Sequence, residues 1–282
     1  MNGVPALAYQ LRWRSRAVMS GAHRGTLSGP GHDMERSVPF DGHRDARRLD
    51  LRASLRDPSE RMWVRLFRQQ AIVPVVVLAD VSRSMDYRGA AHRFDLLVTL
   101  ADAIARAAWR LGDPFSLIAC DESPRPELYL PPCRSVAGAR AAVSRLRAHA
   151  LQGRSNEGLL KAAPLLPRRR SLVFLVTDAH MPLTRLEQVL GAHHRHDVVP
   201  VLLGDSREQH ASARWGIARL RDMESGAERL LLQRPALAHA FDDAEQARRH
   251  ALRRSCLRHG RPPLFIDDAI DATVFNRYFF QT

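Results

Sequence analysis

Four apolar runs constrain this chain more than any other feature: "IVPVVVLA" from Ile72, "FSLIAC" at 115–120, "SLVFLVT" at 171–177 and "VVPVLL" at 198–203. Each is too short for a helix, and none shows the alternation of a strand with one wet face. Between the first two lies "HRFDLLVTLADAIARAAWRLG". There Phe94, Leu97, Val98, Ala101, Ile104, Ala105, Ala108 and Leu111 recur at helical spacing, and Gly112 is a stop signal. Further helical patterns fall at 136–149, 156–165 and 183–194. Strands apolar on both faces and separated by helices imply an α/β fold, a Rossmann-like, mostly parallel sheet with helices on both faces. Pro74 and Pro200 lie inside two of the runs, which argues against central strands unless they sit at strand starts.

The flanks read differently. Residues 1–70 are rich in Gly, Arg, His and Asp, and Met62, Val64 and Leu66 alternate with polar neighbours, which suggests short strands. This region is expected to form a small β-rich N-terminal appendage, with residues 71–282 as the main domain. Within the latter, "IARLRDMESGAERLLLQ" reads as a hairpin insertion near 217–233. A long helix at 236–258, a last strand in "PPLFIDD" and a short terminal helix complete the pattern.

Composition excludes several function classes. With 282 residues and 45% hydrophobic content the chain can bury a sizeable core. The longest apolar run, Ala71 to Ala79, is far short of a membrane span, and the N-terminus has no apolar signal core, so a cytoplasmic location is the expectation. Cys120, Cys133 and Cys256 are widely spaced and read as reduced thiols. The net charge of +13 rests on arginine, since Lys161 is the only lysine. The arginines are scattered and lack an aromatic nucleic-acid motif. The charge therefore reads as solubility or attraction to an acidic partner, before any nucleic acid.

The chemistry-bearing residues sit where strands end, the place where open α/β sheets bind ligands. Asp80, Ser82 and Ser84 follow the first strand in "ADVSRSM", Asp178 follows "SLVFLVT", and Ser155 and Asn156 lie in "GRSNEG" before a helix. Turn and cap chemistry explains each of these alone, and for Ser155 cap and ligand stand open together. As a set they offer two carboxylates and three hydroxyls to a hard cation such as Mg²⁺, or Mn²⁺ or Ca²⁺.

This set resembles the metal-ion-dependent adhesion site of von Willebrand factor A domains: Asp-x-Ser-x-Ser, a loop hydroxyl, then a later Asp. The resemblance implies Ser82, Ser84 and Ser155 as direct ligands, with Asp80 and Asp178 supporting. Ser155 stands where that family usually has Thr. The stretch from Gly29 to Gln70, with Leu49-Asp50-Leu51, together with the terminal "FNRYFF", resembles the DUF58 family. That resemblance implies a partner, a MoxR-type AAA+ ATPase, and a role in maturing other protein complexes. One soluble subgroup is associated with methanol dehydrogenase assembly, and "DARRLDLRASLRDP" is most similar to it.

Enzyme readings lack their parts. A haloacid-dehalogenase-type phosphatase needs an acid two residues after Asp80, where Ser82 stands; there is no nucleophile elbow and no P-loop. The expectation is thus a non-enzymatic, metal-dependent adaptor that binds an Asp or Glu carboxylate of a client. The alternative is a basic nucleic-acid-binding protein with a degenerate metal site. Asp86, Asp121 and Glu122 are expected as solvated loop acids, His193, His194 and His196 as surface, and Asp50 as an ion-pair link to the main domain.

Overall fold

The computed structural model describes residues 6–13, 23–41, 46–209, 216–221, 228–233 and 235–280. They form two compact units. One comprises Gln10–Val73 and Leu111–Asp113; the other comprises Met1–Tyr9, Pro74–Arg110 and Pro114–Thr282.

The first unit is built on an antiparallel pair, β1 (His23–Pro39) and β2 (Trp63–Ala71), with helix α1 (Leu51–Arg56) between them in sequence. β1 has 17 residues against 9 in β2, and the excess appears as register shifts after Arg24, Ser28 and Met34. Asp50 caps α1: its Oδ1 accepts from Ala53 N at 3.2 Å, and its Oδ2 accepts from Ser37 Oγ at 2.8 Å. Arg65 Nε lies 3.3 Å away. Asp50, expected to pair with the main domain, has its partners among the described residues within its own unit instead: the α1 cap, Ser37 and Arg65.

The second unit carries a six-stranded sheet. In chain order it contains β3 (Val75–Asp80), α2 (Arg93–Leu111), β4 (Phe115–Cys120), β5 (Leu130–Cys133), α3 (Val136–Arg147) and α4 (Gly158–Lys161). β6 (Leu172–Asp178), α5 (Leu183–Ala192), β7 (Asp197–Leu203) and α6 (Ser206–Gln209) follow. The hairpin β8 (Gly216–Arg221) and β9 (Glu228–Gln233) leads to α7 (Pro235–Arg258), β10 (Leu264–Ile266) and α8 (Ala272–Phe280). The sheet order is β10-β7-β6-β3-β4-β5, all neighbours parallel except β4 and β5. This is a doubly wound sheet whose winding reverses between β3 and β6, the crevice where such folds bind ligands.

Both prolines fit. Pro74 precedes β3 and contributes only its carbonyl, which accepts from Leu172 N at 3.0 Å. Pro200 lies inside β7, but β10 pairs with Val201 to Leu203 alone, so at Pro200 the strand has a described neighbour only on the β6 side. The Pro-rich stretch after β4 contains an antiparallel edge strand, β5, where Pro131 and Pro132 are tolerated for the same reason. The helix expected over 156–165 is a single turn, α4, followed by a short 3-10 turn.

All residues of β3, β4, β6 and β7 are buried. On one face Val76, Leu78, Ile118, Val173 and Leu175 join Leu186, Val189 and Leu190 of α5 and Leu252 of α7. On the alternate positions Phe174 stacks on Phe275 at 5.9 Å and meets Phe279 and Tyr9, so α8 seals the sheet with its aromatic face. Among the described residues no helix is long and apolar enough to cross a membrane.

Two measurements check these assignments. Leu175→Ala, at a fully buried position, is expected to lower stability to urea by about 2–5 kcal/mol. Leu55→Ala, at a side chain 88% exposed, should change it by less than about 0.5 kcal/mol. The hydrogen bond from Ser37, with those from Arg65 and Ala53, draws the Asp50 carboxyl from 3.8 down to about 2. Its stabilisation is therefore complete above the unfolded value and is lost as pH falls through that window. Thermal unfolding of Asp50→Asn should lose this acid-dependent part, its deficit against the native chain shrinking between about pH 4 and pH 2.

Candidate metal centre

At the end of β3 the chain buries a carboxylate, and four donors gather on it. Asp80 is 0% exposed. Its Oδ1 accepts from Ser82 N at 2.9 Å and Ser82 Oγ at 2.6 Å. Its Oδ2 accepts from Thr177 Oγ1 at 2.7 Å and Asn156 Nδ2 at 3.2 Å. Desolvation still outweighs these bonds and pushes the carboxyl upward from its ordinary range. A buried carboxylate so held gains from a nearby cation.

The hydroxyls are set by that carboxylate. Ser82 opens a 3-10 turn, Arg83–Asp86, yet makes no side-chain cap bond; it donates to Asp80 instead. With its proton committed there, Ser82 Oγ takes the accepting role toward Ser84 Oγ, 3.1 Å away. Two oxygens bound side by side to a small octahedral cation with ~2.1 Å bonds stand about 3 Å apart. The hydroxyl pair therefore fits Mg²⁺ or Mn²⁺, with Asp80 orienting the Ser82 hydroxyl directly and the Ser84 hydroxyl bonded, among the described residues, to Ser82 alone. Among the described residues no group of three or more His, Cys, Asp or Glu side chains is arranged for a metal. A cation here would depend on hydroxyl donors.

The "GRSNEG" loop is tied in from both sides. Arg83 N donates to Gly153 O at 2.7 Å, and Asn156 reaches Asp80. Gly158 N donates to Asp121 O at 2.6 Å. Glycine is required at both ends of this loop, since a Cβ on Gly153 would fall 2.3 Å from the Asp121 side chain. One on Gly158 would fall 2.6 Å from the Asp121 and Ser123 backbone. Asp121, expected as a solvated acid, is thus a buried strut that pairs with Arg125. Ser155, half-buried, stands between the anchored Gly153 and Asn156, and its hydroxyl makes no hydrogen bond among the described residues. The residue capping α4 is Glu157, so Ser155 is not that cap.

Asp178 lies at the same sheet end but faces another partner. Its Oδ2 is 3.3 Å from Arg93 Nη1, and its Oδ1 accepts from His180 N at 2.7 Å. Its neighbour Thr177 makes the contact with Asp80. The structure therefore joins Asp80, Ser82 and Ser84 directly, holds Ser155 through its neighbours, and ties Asp178 to a guanidinium. Thr177 and Arg93 were not singled out from sequence. Thr177 ends the apolar run of its strand directly before Asp178, which is the signal that could have found it. Arg93 opens a helix like any exposed arginine and gives none.

Of the other candidates, Asp86 and Glu122 keep exposed carboxylates, as expected. His193 does not lie at the surface: it is buried, and its Nε2 lies 2.8 Å from the Leu159 carbonyl. His196 is half-buried, and desolvation pushes its imidazole down to about 4.

Comparison with known proteins adds the lineage. A protein of Paracoccus denitrificans described as "Uncharacterized protein in moxR 3'region" is 36% identical over 101 residues, 36% of this chain and 96% of that protein. Two solved structures are distantly similar. An aerotolerance-related membrane protein from Bacteroides fragilis shares 13% identity, with a TM-score of 0.41 over 74% of this chain and 97% of its own. A von Willebrand factor type A protein from Catenulispora acidiphila shares 22% identity, with a TM-score of 0.36 over 65% and 44%. Residues 41–251 match the family described as "Protein of unknown function DUF58", and the chain belongs to that family.

Proposed function

We propose that this protein is a non-enzymatic adaptor that recognises a carboxylate of a client protein through a divalent cation and works with a MoxR-type AAA+ ATPase. The observation that carries the reading is the pair of serine hydroxyls, 3.1 Å apart, oriented by a buried carboxylate. The partner class draws support from the Paracoccus relative, described by its place beside moxR. The maturation or assembly role follows from the family resemblance.

Ser82, Ser84 and Ser155 are the residues that would hold the cation, with Asp80 and Asp178 supporting. When bound, a hard cation short of one oxygen ligand supplies a preference for a carboxylate over water. The protein's own share is orientation. Asp80 fixes the Ser82 hydroxyl, Thr177 and Asn156 fix Asp80, and the buried strand ends exclude bulk water from the inner side. Asp80 is 0% exposed and both its oxygens are engaged by protein donors, which supports a role in orienting a binding site.

The test uses the full chain. Mg²⁺ or Mn²⁺ at about 100 times its Kd is expected to raise Tm by roughly 5–10 °C, and Asp80→Ala to remove that shift. A MoxR-type ATPase or its client should be retained on the immobilised protein with Mg²⁺ and lost with chelator. Retention that ignores both chelator and Asp80→Ala would sink metal-bridged recognition. Steeply salt-dependent binding to DNA or RNA would favour the nucleic-acid alternative. Thr177→Val keeps the side-chain shape but takes a donor from a buried carboxylate. It should cost about 1–3 kcal/mol in urea unfolding and weaken the Mn²⁺-induced shift.

A further inference from the structure

One buried arginine is shared between the candidate centre and a neighbouring loop. Arg93, at the start of α2, is 2% exposed. Its Nη1 meets Asp178 Oδ2 at 3.3 Å and the Ser84 carbonyl at 3.4 Å. Its Nη2 pairs with Glu208 of α6, and the guanidinium lies over the Tyr87 ring at 4.5 Å. Nε has no hydrogen-bond partner among the described residues. Glu208 also has His180 Nε2 at 3.1 Å. One guanidinium thus serves two carboxylates, one at the end of β6 and one on α6, and the first is a residue assigned to the metal.

Resting on the metal reading above, we propose that Arg93 is a positioning residue that sets the cation affinity of the site by holding Asp178 back, with Glu208 setting how firmly. The physics is competition. A dication and a guanidinium attract the same Asp178 carboxylate, and in a buried setting neither attraction is screened away. Glu208 draws the guanidinium toward α6 and so releases part of its hold on Asp178. Removing the Arg93 charge frees Asp178 for the cation. Removing the Glu208 charge leaves Arg93 to Asp178 alone. Linkage makes the coupling reciprocal, so metal occupancy is felt at α6. A cationic partner group that captures Glu208 would loosen the metal.

The test measures Mn²⁺ affinity of the full chain by following free Mn²⁺ with electron paramagnetic resonance. Arg93→Met is expected to bind about tenfold tighter, and Arg93→Lys, which keeps the charge but loses the fork, to fall between it and the native chain. Glu208→Gln is expected to bind about threefold weaker. It keeps the shape of a side chain that is 21% exposed, so it tests the idea even if Arg93→Met fails to fold. In an Asp178→Asn background both effects should vanish, an outcome that a purely structural role for Arg93 does not produce. If the native chain binds Mn²⁺ but Glu208→Gln binds equally well, or its effect survives Asp178→Asn, the Arg93 proposal falls and the metal site stands. If neither the native chain nor any variant binds Mn²⁺, both fall. Binding that appears only in Arg93→Met supports the hold on Asp178 while removing the cation from the resting protein.

Discussion

The second unit depends on one buried carboxylate. Asp80 sits where the sheet reverses its winding, and its two oxygens gather donors from three separate segments: Ser82 of its own loop, Asn156 of the loop before α4, and Thr177 of β6. Leaving that carboxylate without partners would be costly in so dry a place. The hydrogen bonds therefore do two things together: they satisfy Asp80, and they draw the strand-end loops into one constellation. The glycines at 153 and 158 belong to the same device, because the loop reaches Asp80 only by passing close over Asp121 and Ser123.

The arginine excess gains a different meaning inside the fold. Arg261 forms a two-pronged pair with Asp197, both bonds 2.7 Å, beneath the aromatic cluster of α8. Arg249 bridges Glu245 of α7 and Asp267, the residue after β10, and Arg125 holds Asp121. A planar guanidinium suits such forked, partly buried pairs better than a lysine ammonium. Part of the positive charge is thus internal counter-charge and is not offered to a polyanion. Arg93 is the case where this structural habit meets the candidate site.

The sheet was legible because burial on both faces writes long apolar runs into the chain. Helix α2 was legible because its apolar stripe holds period along 19 residues. β5 was not legible, since "LPPC" carries turn chemistry and becomes a strand only by pairing with β4. Within the site, Asp80, Ser82 and Ser84 were readable as a compact motif at a strand end. Arg93 and Glu208 were not, because 115 residues separate them and only the sheet order brings α2 and α6 to one end. His193 and Asp121 show the same limit: a polar side chain reads as exposed until the partner that satisfies it is known.

Whether the Asp80 constellation holds a hard cation can be seen by anomalous diffraction from crystals of the full chain grown with Mn²⁺. A manganese peak is expected, bonded to the Ser82, Ser84 and Ser155 hydroxyls, with Asp80 still hydrogen-bonded to Thr177 and Asn156. A well-ordered strand end with no manganese, its hydroxyls bonded only to protein groups, would contradict the metal reading.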